Sequence, residues 1–293
     1  MLKFNHKRIL NKNNHNHIPV SEYHQPKKIL ITGGIGDIFA IESHFPESWY
    51  SSVQKIVLAT RASKFIYDLF KNKNFPFYNA EIEIVETDYR HPIHNINQLV
   101  QRTNYTDIQN LVDCSISKIF PLIKKNILHY KGCSVLHRIE ENLDKFNLPE
   151  KYVVICPITN DDVTSPRSFT KQEQQIINKF LNTKKVTGVV LHHQKYEYLN
   201  SPYIMNLTGL TTLAESINIL NNSYGFIGVD SCLTVLACQL FQPHSIMIKS
   251  KNLHLYNNLK PYTSPLITRK ILFQVIHNHK NVLGTRNELI ILK

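Results

Sequence analysis

Short apolar runs alternate with amphipathic stretches along most of the chain, a pattern typical of parallel α/β domains. In the first half, the runs that predict strands are Lys28–Thr32, Lys55–Ala59, Glu81–Val85 and Ile108–Val112. The stretches that predict helices are Asp37–His44, Ala62–Lys71, Asn95–Arg102, Ile116–Ile127 and His137–Phe146. Strands that alternate with helices predict a parallel sheet with crossover helices.

The same alternation restarts after the break at Asn147-Leu148-Pro149. Here the predicted strands are Tyr152–Cys156, Val186–Leu191, Tyr224–Gly228 and His244–Ile248. The predicted helices are Lys171–Leu181, Thr211–Asn221, Ser231–Leu240 and Ile271–His279. We therefore predict a tail over residues 1–26, a first α/β domain over 27–148 and a second over 149–293. In such a pair, the ligand is expected in a cleft at the carboxyl ends of the strands.

Composition narrows the class of protein. The chain has 293 residues, of which 42% are hydrophobic and 19% charged, as in ordinary globular proteins. It has no apolar run of the about 18 to 20 residues that a membrane span needs. Its five cysteines form no Cys-x-x-Cys pair, so we expect a reduced, cytoplasmic protein without a disulfide framework.

The formal charge of +12 is unevenly distributed. Residues 1–28 have six basic and one acidic residue, residues 29–150 have 13 and 14, and residues 151–293 have 15 and 7. The second half therefore has a net charge of +8, which suits an anionic ligand or a solvated basic surface. The tail holds His6, His15, His17 and His24, which we interpret as part of a soluble arm rather than a metal site.

A glycine-rich turn, Gly33-Gly34-Ile35-Gly36-Asp37, directly follows the first predicted strand. Glycines permit a tight turn and a close approach to a ligand, and a helix that opens at Asp37 would direct free N–H groups toward it. The turn is not a P-loop, because no Gly-Lys-Ser/Thr follows. Phe39 replaces the third glycine of a dinucleotide fingerprint, which disfavours an oxidoreductase. Asp37 could also be a purely structural cap.

A second motif runs from Asn206 to Glu215 and contains Leu-Thr-Gly-Leu-Thr-Thr-Leu. Gly209 ends one segment, and Thr211 or Thr212 can cap the helix that follows. Thr212 and Glu215 have the spacing of a capping box, so the role of Glu215 could be purely structural.

A third motif, Gly228-Val-Asp-Ser-Cys-Leu-Thr-Val-Leu-Ala, joins an apolar strand to a helix that starts near Ser231. The backbone N–H groups of Ser231, Cys232 and Leu233 would lack intrahelical acceptors, which suits a diphosphate. The alternative is a helix cap formed by Asp230 and Ser231 with nothing bound.

The order and spacing of these motifs resemble the GT-B glycosyltransferases of family 9, the lipopolysaccharide heptosyltransferase group. The family's Gly-x-Gly-Asp turn is matched by Gly34–Asp37, and its Leu-Thr-Gly run and Gly-x-Asp-Ser segment are matched by Leu207–Glu215 and Gly228–Ala237. Cys156–Thr159 and Arg167–Phe169 resemble two further elements of the family. Two departures from the family pattern are Cys232 in place of a glycine and Val235 in place of a histidine.

The resemblance implies a GT-B fold, with two Rossmann-like domains facing a central cleft. It implies a metal-independent, inverting transfer from a nucleotide-diphosphate sugar to a hydroxyl of a saccharide or lipid-linked glycan, without a cofactor. Asp37 would be the catalytic base. The implied donor-binding residues are Gly34, Gly36, Thr159, Arg167, Glu215, Asp230, Ser231, Cys232 and Leu233.

Two alternatives stay open. A basic chain could instead glycosylate hydroxymethylated bases in DNA, which would require phosphate contacts and access to the base. The changes at Cys232 and Val235 could also indicate a non-catalytic protein that binds sugar nucleotides or glycans. We also expect no membrane span, although the protein could contact a membrane peripherally.

Overall fold

The computed structural model describes residues 25–60, 63–72, 75, 77–87, 93–115, 118–119, 122, 136, 139–159, 168–229, 231–240 and 246–249. The chain divides into two compact units, Met1–Ser134 and Val135–Lys293. The break predicted at Asn147-Leu148-Pro149 lies within the second of these units.

The first unit is a parallel sheet with helices between its strands. Its strands are β1 (Lys28–Thr32), β2 (Lys55–Thr60), β3 (Glu81–Glu86) and β4 (Leu111–Asp113). Its helices are α1 (Ile35–Glu42), α2 (Glu47–Ser52), α3 (Ser63–Phe70) and α4 (Ile96–Thr103). The strand order is β3-β2-β1-β4, and every pairing is parallel. β1 and β2 are almost fully buried, as expected of apolar strands covered on both faces.

Apolar packing in the first unit has two parts. Leu30, Val57 and Ala59 of the sheet pack against Ile96 and Leu99 of α4. A separate cluster of aromatic rings has centroid distances of 4.4 to 6.3 Å and consists of Phe45, Trp49, Phe70, Phe75 and Phe77. Burial of side chains this large is a main source of a domain's stability.

The second unit repeats the design. Its strands are β5 (Tyr152–Cys156), β6 (Thr187–Val190), β7 (Ile204–Asn206), β8 (Phe226–Val229) and β9 (Ile246–Lys249). Its helices are α5 (Lys171–Lys184), α6 (Leu213–Asn221) and α7 (Cys232–Leu240), with a 3₁₀ turn at Asp144–Phe146. The strand order is β7-β6-β5-β8-β9, again all parallel. The expected α/β class with two Rossmann-like sheets is thus confirmed in the described residues.

The structure corrects several predicted elements. α1 begins at Ile35 and not at Asp37, and α2 and β7 were not predicted. Residues 139–143 are not helical, because the Asn142 side chain accepts the Asp144 N–H at 2.7 Å and favours a turn. The helix predicted at Ile271–His279 lies outside the described residues. No helix of the described part is both long and apolar enough to cross a membrane.

Candidate functional site

Each sheet has one point where the chain changes direction along the strand order. In the first unit this point lies between β1 and β4, and in the second between β5 and β8. Loops that leave two such neighbouring strands at their carboxyl ends diverge and leave a crevice, where α/β proteins bind ligands. The Gly33–Asp37 turn follows β1, and the segments after Cys156 and after Val229 follow β5 and β8.

The turn after β1 is built around the Asp37 carboxylate. Gly33 has φ +107°, and the N–H of Gly34, the N-cap of α1, donates to Asp37 Oδ2 at 2.9 Å. The Thr60 hydroxyl of β2 donates to the Gly33 carbonyl oxygen at 2.6 Å. A Cβ atom on Gly33 would lie 2.8 Å from Asp37 Oδ2, so glycine is required for this close approach. Asp37 is half-buried at the third position of α1, and Gly36 lies one residue before it.

Glu215 lies at the third position of α6, in the capping box that its spacing from Thr212 predicts. The Thr212 N–H donates to Glu215 Oε2 at 2.8 Å, and the Glu215 N–H donates to Thr212 Oγ1 at 3.1 Å. Lys145 Nζ lies 2.5 Å from the second carboxylate oxygen, Oε1. Burial alone would raise the pKa of Glu215, but the Lys145 ion pair and the Thr212 hydrogen bonds outweigh it and lower that pKa.

The start of α7 has backbone N–H groups that helix geometry leaves without intrahelical acceptors. Ser231 is the residue before α7, and its Oγ accepts the Thr234 N–H at 3.3 Å. The first intrahelical bond runs from the Val235 N–H to the Ser231 carbonyl oxygen. Helix geometry therefore leaves the N–H groups of Ser231, Cys232 and Leu233 without an intrahelical acceptor, at the positive end of the helix dipole.

Two thiols lie next to these amides, one on the buried residue Cys156 and one on the half-buried residue Cys232. Burial raises the pKa of Cys156, at the end of β5, to about 11, although a hydrogen bond with the Ser231 side chain opposes the rise. Burial also raises the pKa of the Cys232 thiol to about 12, and the nearby Cys156 adds to this rise. Both thiols are therefore neutral at physiological pH and act here as small, uncharged side chains. Thr159, also buried, donates its N–H to Ser168 Oγ at 3.3 Å.

The segment before α6, at residues 208–209, is hydrogen-bonded to the segment after β6, at residues 192–196. The Gly209 N–H donates to the His192 carbonyl oxygen at 2.8 Å, and a Cβ on Gly209 would lie 2.8 Å from the Lys195 nitrogen. The Thr208 hydroxyl accepts from the Tyr196 N–H at 2.9 Å and donates to the Tyr196 carbonyl oxygen at 3.0 Å. These bonds fix the chain immediately ahead of the Thr212 cap.

Two predicted donor-binding residues, Arg167 and Asp230, lie outside the described residues, as do the four histidines of the tail. Within the described ranges, no group of three or more His, Cys, Asp or Glu side chains is placed to hold a metal ion.

Sequence reasoning missed two features of the site. No sequence motif indicated a role for Lys145, because its partner, Glu215, is 70 positions later in the chain. Thr170 and Glu173 form a second capping box at the start of α5, with the Thr170 N–H 2.7 Å from Glu173 Oε2. The Thr-x-x-Glu spacing of this second box was visible in the sequence.

Comparisons with known proteins found similarity among solved structures only. No family model and no curated protein matches the chain. It is similar to ADP-heptose LPS heptosyltransferase II of E. coli, with 12% identity and a TM-score of 0.43 over 77% of this chain and 86% of that one. It is also similar to TibC, an iron-containing dodecameric glycosyltransferase of enterotoxigenic E. coli, with 15% identity and a TM-score of 0.36 over 73% of this chain and 56% of that one. A TibC structure in complex with ADP-D-β-D-heptose gives 16% identity and a TM-score of 0.36, over 77% and 59%.

Proposed function

We propose that this protein is a glycosyltransferase that moves a sugar from a nucleotide-diphosphate sugar to a hydroxyl group, with inversion and without a metal ion. One observation carries the proposal. In the second unit, the helix start at Ser231–Leu233 adjoins the crevice between β5 and β8, and the ionised Glu215 lies at a second helix start. Backbone amides at a helix start suit a diphosphate, and a fixed carboxylate suits the hydroxyl groups of a ribose.

In this proposal, hydrogen-bond donors bind the diphosphate of the donor sugar and a hydrogen-bond acceptor binds its ribose. The N–H groups of Ser231, Cys232 and Leu233 donate to the diphosphate oxygens, and Glu215 accepts hydrogen bonds from the ribose. Negative charge develops on the leaving diphosphate as the glycosidic bond breaks. Preorganised amides and the helix dipole can stabilise this charge without a metal, with Arg167 as a further cation.

The acceptor is activated by Asp37 in this proposal. Its carboxylate takes the proton of the acceptor hydroxyl while that oxygen attacks the anomeric carbon from the side opposite the diphosphate. The new bond to the acceptor forms as the bond to the diphosphate breaks, so the configuration at the anomeric carbon inverts. The Gly34 N–H bond to Oδ2 supports this role, because it fixes the orientation of the carboxylate.

We propose a saccharide or lipid-linked glycan as the acceptor and the cytoplasm as the site of action. The donor half of the proposal is tested first, by calorimetric titration of the full chain with ADP, GDP, UDP and CMP in EDTA and then in magnesium. We expect saturable binding of one nucleoside diphosphate that is equal in both buffers. A requirement for magnesium would contradict the metal-independent mechanism, and binding of none of them would contradict the proposed donor.

A further inference from the structure

A segment that precedes β5 is attached to helix α6 at both ends of that helix. We call this segment the strap and define it as Leu136 together with residues 139–146. The carbonyl oxygen of Leu136 accepts a hydrogen bond from Asn221 Nδ2, at the last residue of α6, at 3.0 Å. At the other end, Lys145 pairs with Glu215 in the first turn of α6. The strap therefore runs in the direction opposite to α6.

The ion pair joins an exposed cation to a buried anion. The side chain of Lys145 is 59% exposed, whereas that of Glu215 is 9% exposed. Lys145 Nζ also lies 4.8 Å from the ring centroid of Phe146, its neighbour in the 3₁₀ turn. The turn is held by the Asn142 side chain, which accepts the Asp144 N–H, so Lys145 projects from an ordered backbone.

The surroundings of Glu215 make Lys145 its main counter-charge. Helix α6 packs against β5 and α7 as well as the strap. The titratable groups on these three elements are Tyr152, Cys156, Cys232, Cys238, Glu140, Glu141, Asp144 and Lys145. Lys145 is the one cation of this set, and both cysteines near the α7 start are neutral. Without Lys145, only the Thr212 hydrogen bonds would oppose the effect of burial, which favours the protonated form of Glu215.

We infer that Lys145 is a positioning residue for the donor, because its ion pair fixes the Glu215 carboxylate as an anion at the start of α6. This inference rests on the proposed function, in which Glu215 accepts hydrogen bonds from the ribose. Lys145 acts through Glu215 and bonds to Oε1, while Thr212 holds Oε2. The two bonds together fix the plane of the carboxylate and therefore the directions of its remaining lone pairs.

The test compares Lys145→Met with Lys145→Arg, which keeps the charge, and with Lys151→Met, which removes an exposed lysine six positions later. Circular dichroism of each variant first establishes folding, and Lys145→Gln is the substitute if Lys145→Met does not fold. The Glu215 carboxyl is then titrated by ¹³C NMR. We expect a higher pKa for Glu215 in Lys145→Met than in the wild type, and a wild-type pKa in the two other variants.

The second readout is the affinity for ADP, GDP and UDP at pH 5.5 and pH 8, as test conditions. Lys145→Met should weaken binding more at pH 5.5 than at pH 8, by at most about tenfold for each unit by which the pKa of Glu215 rises, because only the lower pH approaches that pKa. Wild-type affinity for Lys145→Met at both pH values would overturn the inference alone. If the wild type binds none of the three nucleotides, the proposed function fails and the inference fails with it.

Discussion

A carboxylate at the third position of a helix occurs three times near the crevices of this chain. The N-cap N–H groups donate to Asp37 Oδ2 at 2.9 Å, to Glu173 Oε2 at 2.7 Å and to Glu215 Oε2 at 2.8 Å. Each residue therefore stabilises its helix, whatever else it does. A substitution tests a chemical role only if the cap survives it or if a second cap serves as the control.

The substitution Asp37→Asn distinguishes the capping role of Asp37 from its proposed role as a base. The asparagine amide oxygen can still accept the Gly34 N–H, but the side chain cannot take a proton from an acceptor. We expect Asp37→Asn to bind the donor nucleotide as the wild type does and to lose transfer by about 10²-fold or more. Transfer rates with a glycan acceptor panel check this, with Glu47→Gln in the first turn of α2 as the control. A transfer rate equal to that of the wild type would exclude Asp37 as the base.

The second prediction compares two capping boxes of one unit. Glu173 and Glu215 are equally buried, and each exchanges hydrogen bonds with a threonine three residues earlier. A glutamine can still complete each capping box, so we expect Glu173→Gln and Glu215→Gln each to lower the free energy of unfolding by no more than about 1 kcal/mol, with the larger loss at Glu215, which also loses its ion pair with Lys145. Only Glu215→Gln should weaken nucleotide binding, by about 1.5 to 3 kcal/mol, since a charged hydrogen bond is lost. Equal affinities in titration calorimetry would leave Glu215 as a cap alone.

The residues of the candidate site were largely predictable because their signals are local. Thr212 and Glu215 are three positions apart, and the Ser231 cap lies at the end of an apolar strand. The Lys145–Glu215 pair was not predictable, since only the folded backbone brings these residues together. The role of Asp37 as the base stays a prediction, as do the donor-binding roles of Gly34, Gly36, Thr159, Arg167, Glu215, Asp230 and the amides at 231–233.

At the scale of elements, long apolar strands and well-capped helices were predictable, and short elements were not. β1 and β5 match their predicted limits. Each is a short, mostly apolar run whose positions are almost all buried in the sheet, so its ends are clear from the sequence. β7 has three residues and lies at the sheet edge, and α2 has six residues of mostly polar character. Such elements depend on tertiary packing rather than on a periodic pattern.

The turn after β1 gives a prediction at this scale, because its first two glycines differ. Gly33 has φ +107°, and a Cβ there would lie 2.8 Å from Asp37 Oδ2. Gly34 has φ −81°, and its added Cβ would lie 3.7 Å from the same atom. Gly33→Ala should therefore lower the free energy of unfolding by about 1 to 2 kcal/mol and reduce transfer, whereas Gly34→Ala should leave stability almost unchanged. Urea unfolding curves measure the difference, and equal stability of the two variants would contradict this description of the turn.

At the scale of the whole molecule, the two units share the order of their first four strands. A network of ion pairs lies at the amino-terminal ends of the strands of the first sheet, which is the end opposite Asp37. Lys55 Nζ lies 2.7 Å from Glu83 and 3.3 Å from Asp107, and Lys28 also pairs with Asp107. The alternating pattern predicted the sheet, but the network depends on the register of neighbouring strands, which pairs Lys55 with Glu81 and Lys28 with Lys55.

This network predicts how the protein responds to acid. The hydrogen bond from Lys28 and the one from Lys55 lower the pKa of Asp107 against a smaller opposing effect of burial. The stabilisation is therefore present above the unfolded-state pKa and is lost as the pH falls through the lower, folded-state pKa. Asp107→Asn should lose less than about 1 kcal/mol at pH 7, because the side chain is 49% exposed and the pairs are screened.

Calorimetric melting between pH 7 and pH 2.5, as test conditions, measures this response. The melting temperature should fall less on acidification in Asp107→Asn than in the wild type. Asp68→Asn, which removes an exposed carboxylate of α3, should behave as the wild type does. Equal acid sensitivity in all three proteins would show that the network contributes nothing to stability.

The contact between Gly33 and Asp37 also constrains how the sequence can drift. Any side chain at position 33 would overlap the side chain of Asp37. Its Cβ atom would lie only 2.9 Å from the Cβ atom of Asp37. Loss of that carboxylate removes part of the obstacle, so a substitution at Gly33 costs less once Asp37 is already gone. The two positions are therefore epistatic, and the order of mutation matters. Homologous sequences that retain the aspartate should therefore also retain glycine at position 33. Sequences that have lost the aspartate should tolerate other residues at position 33 more readily.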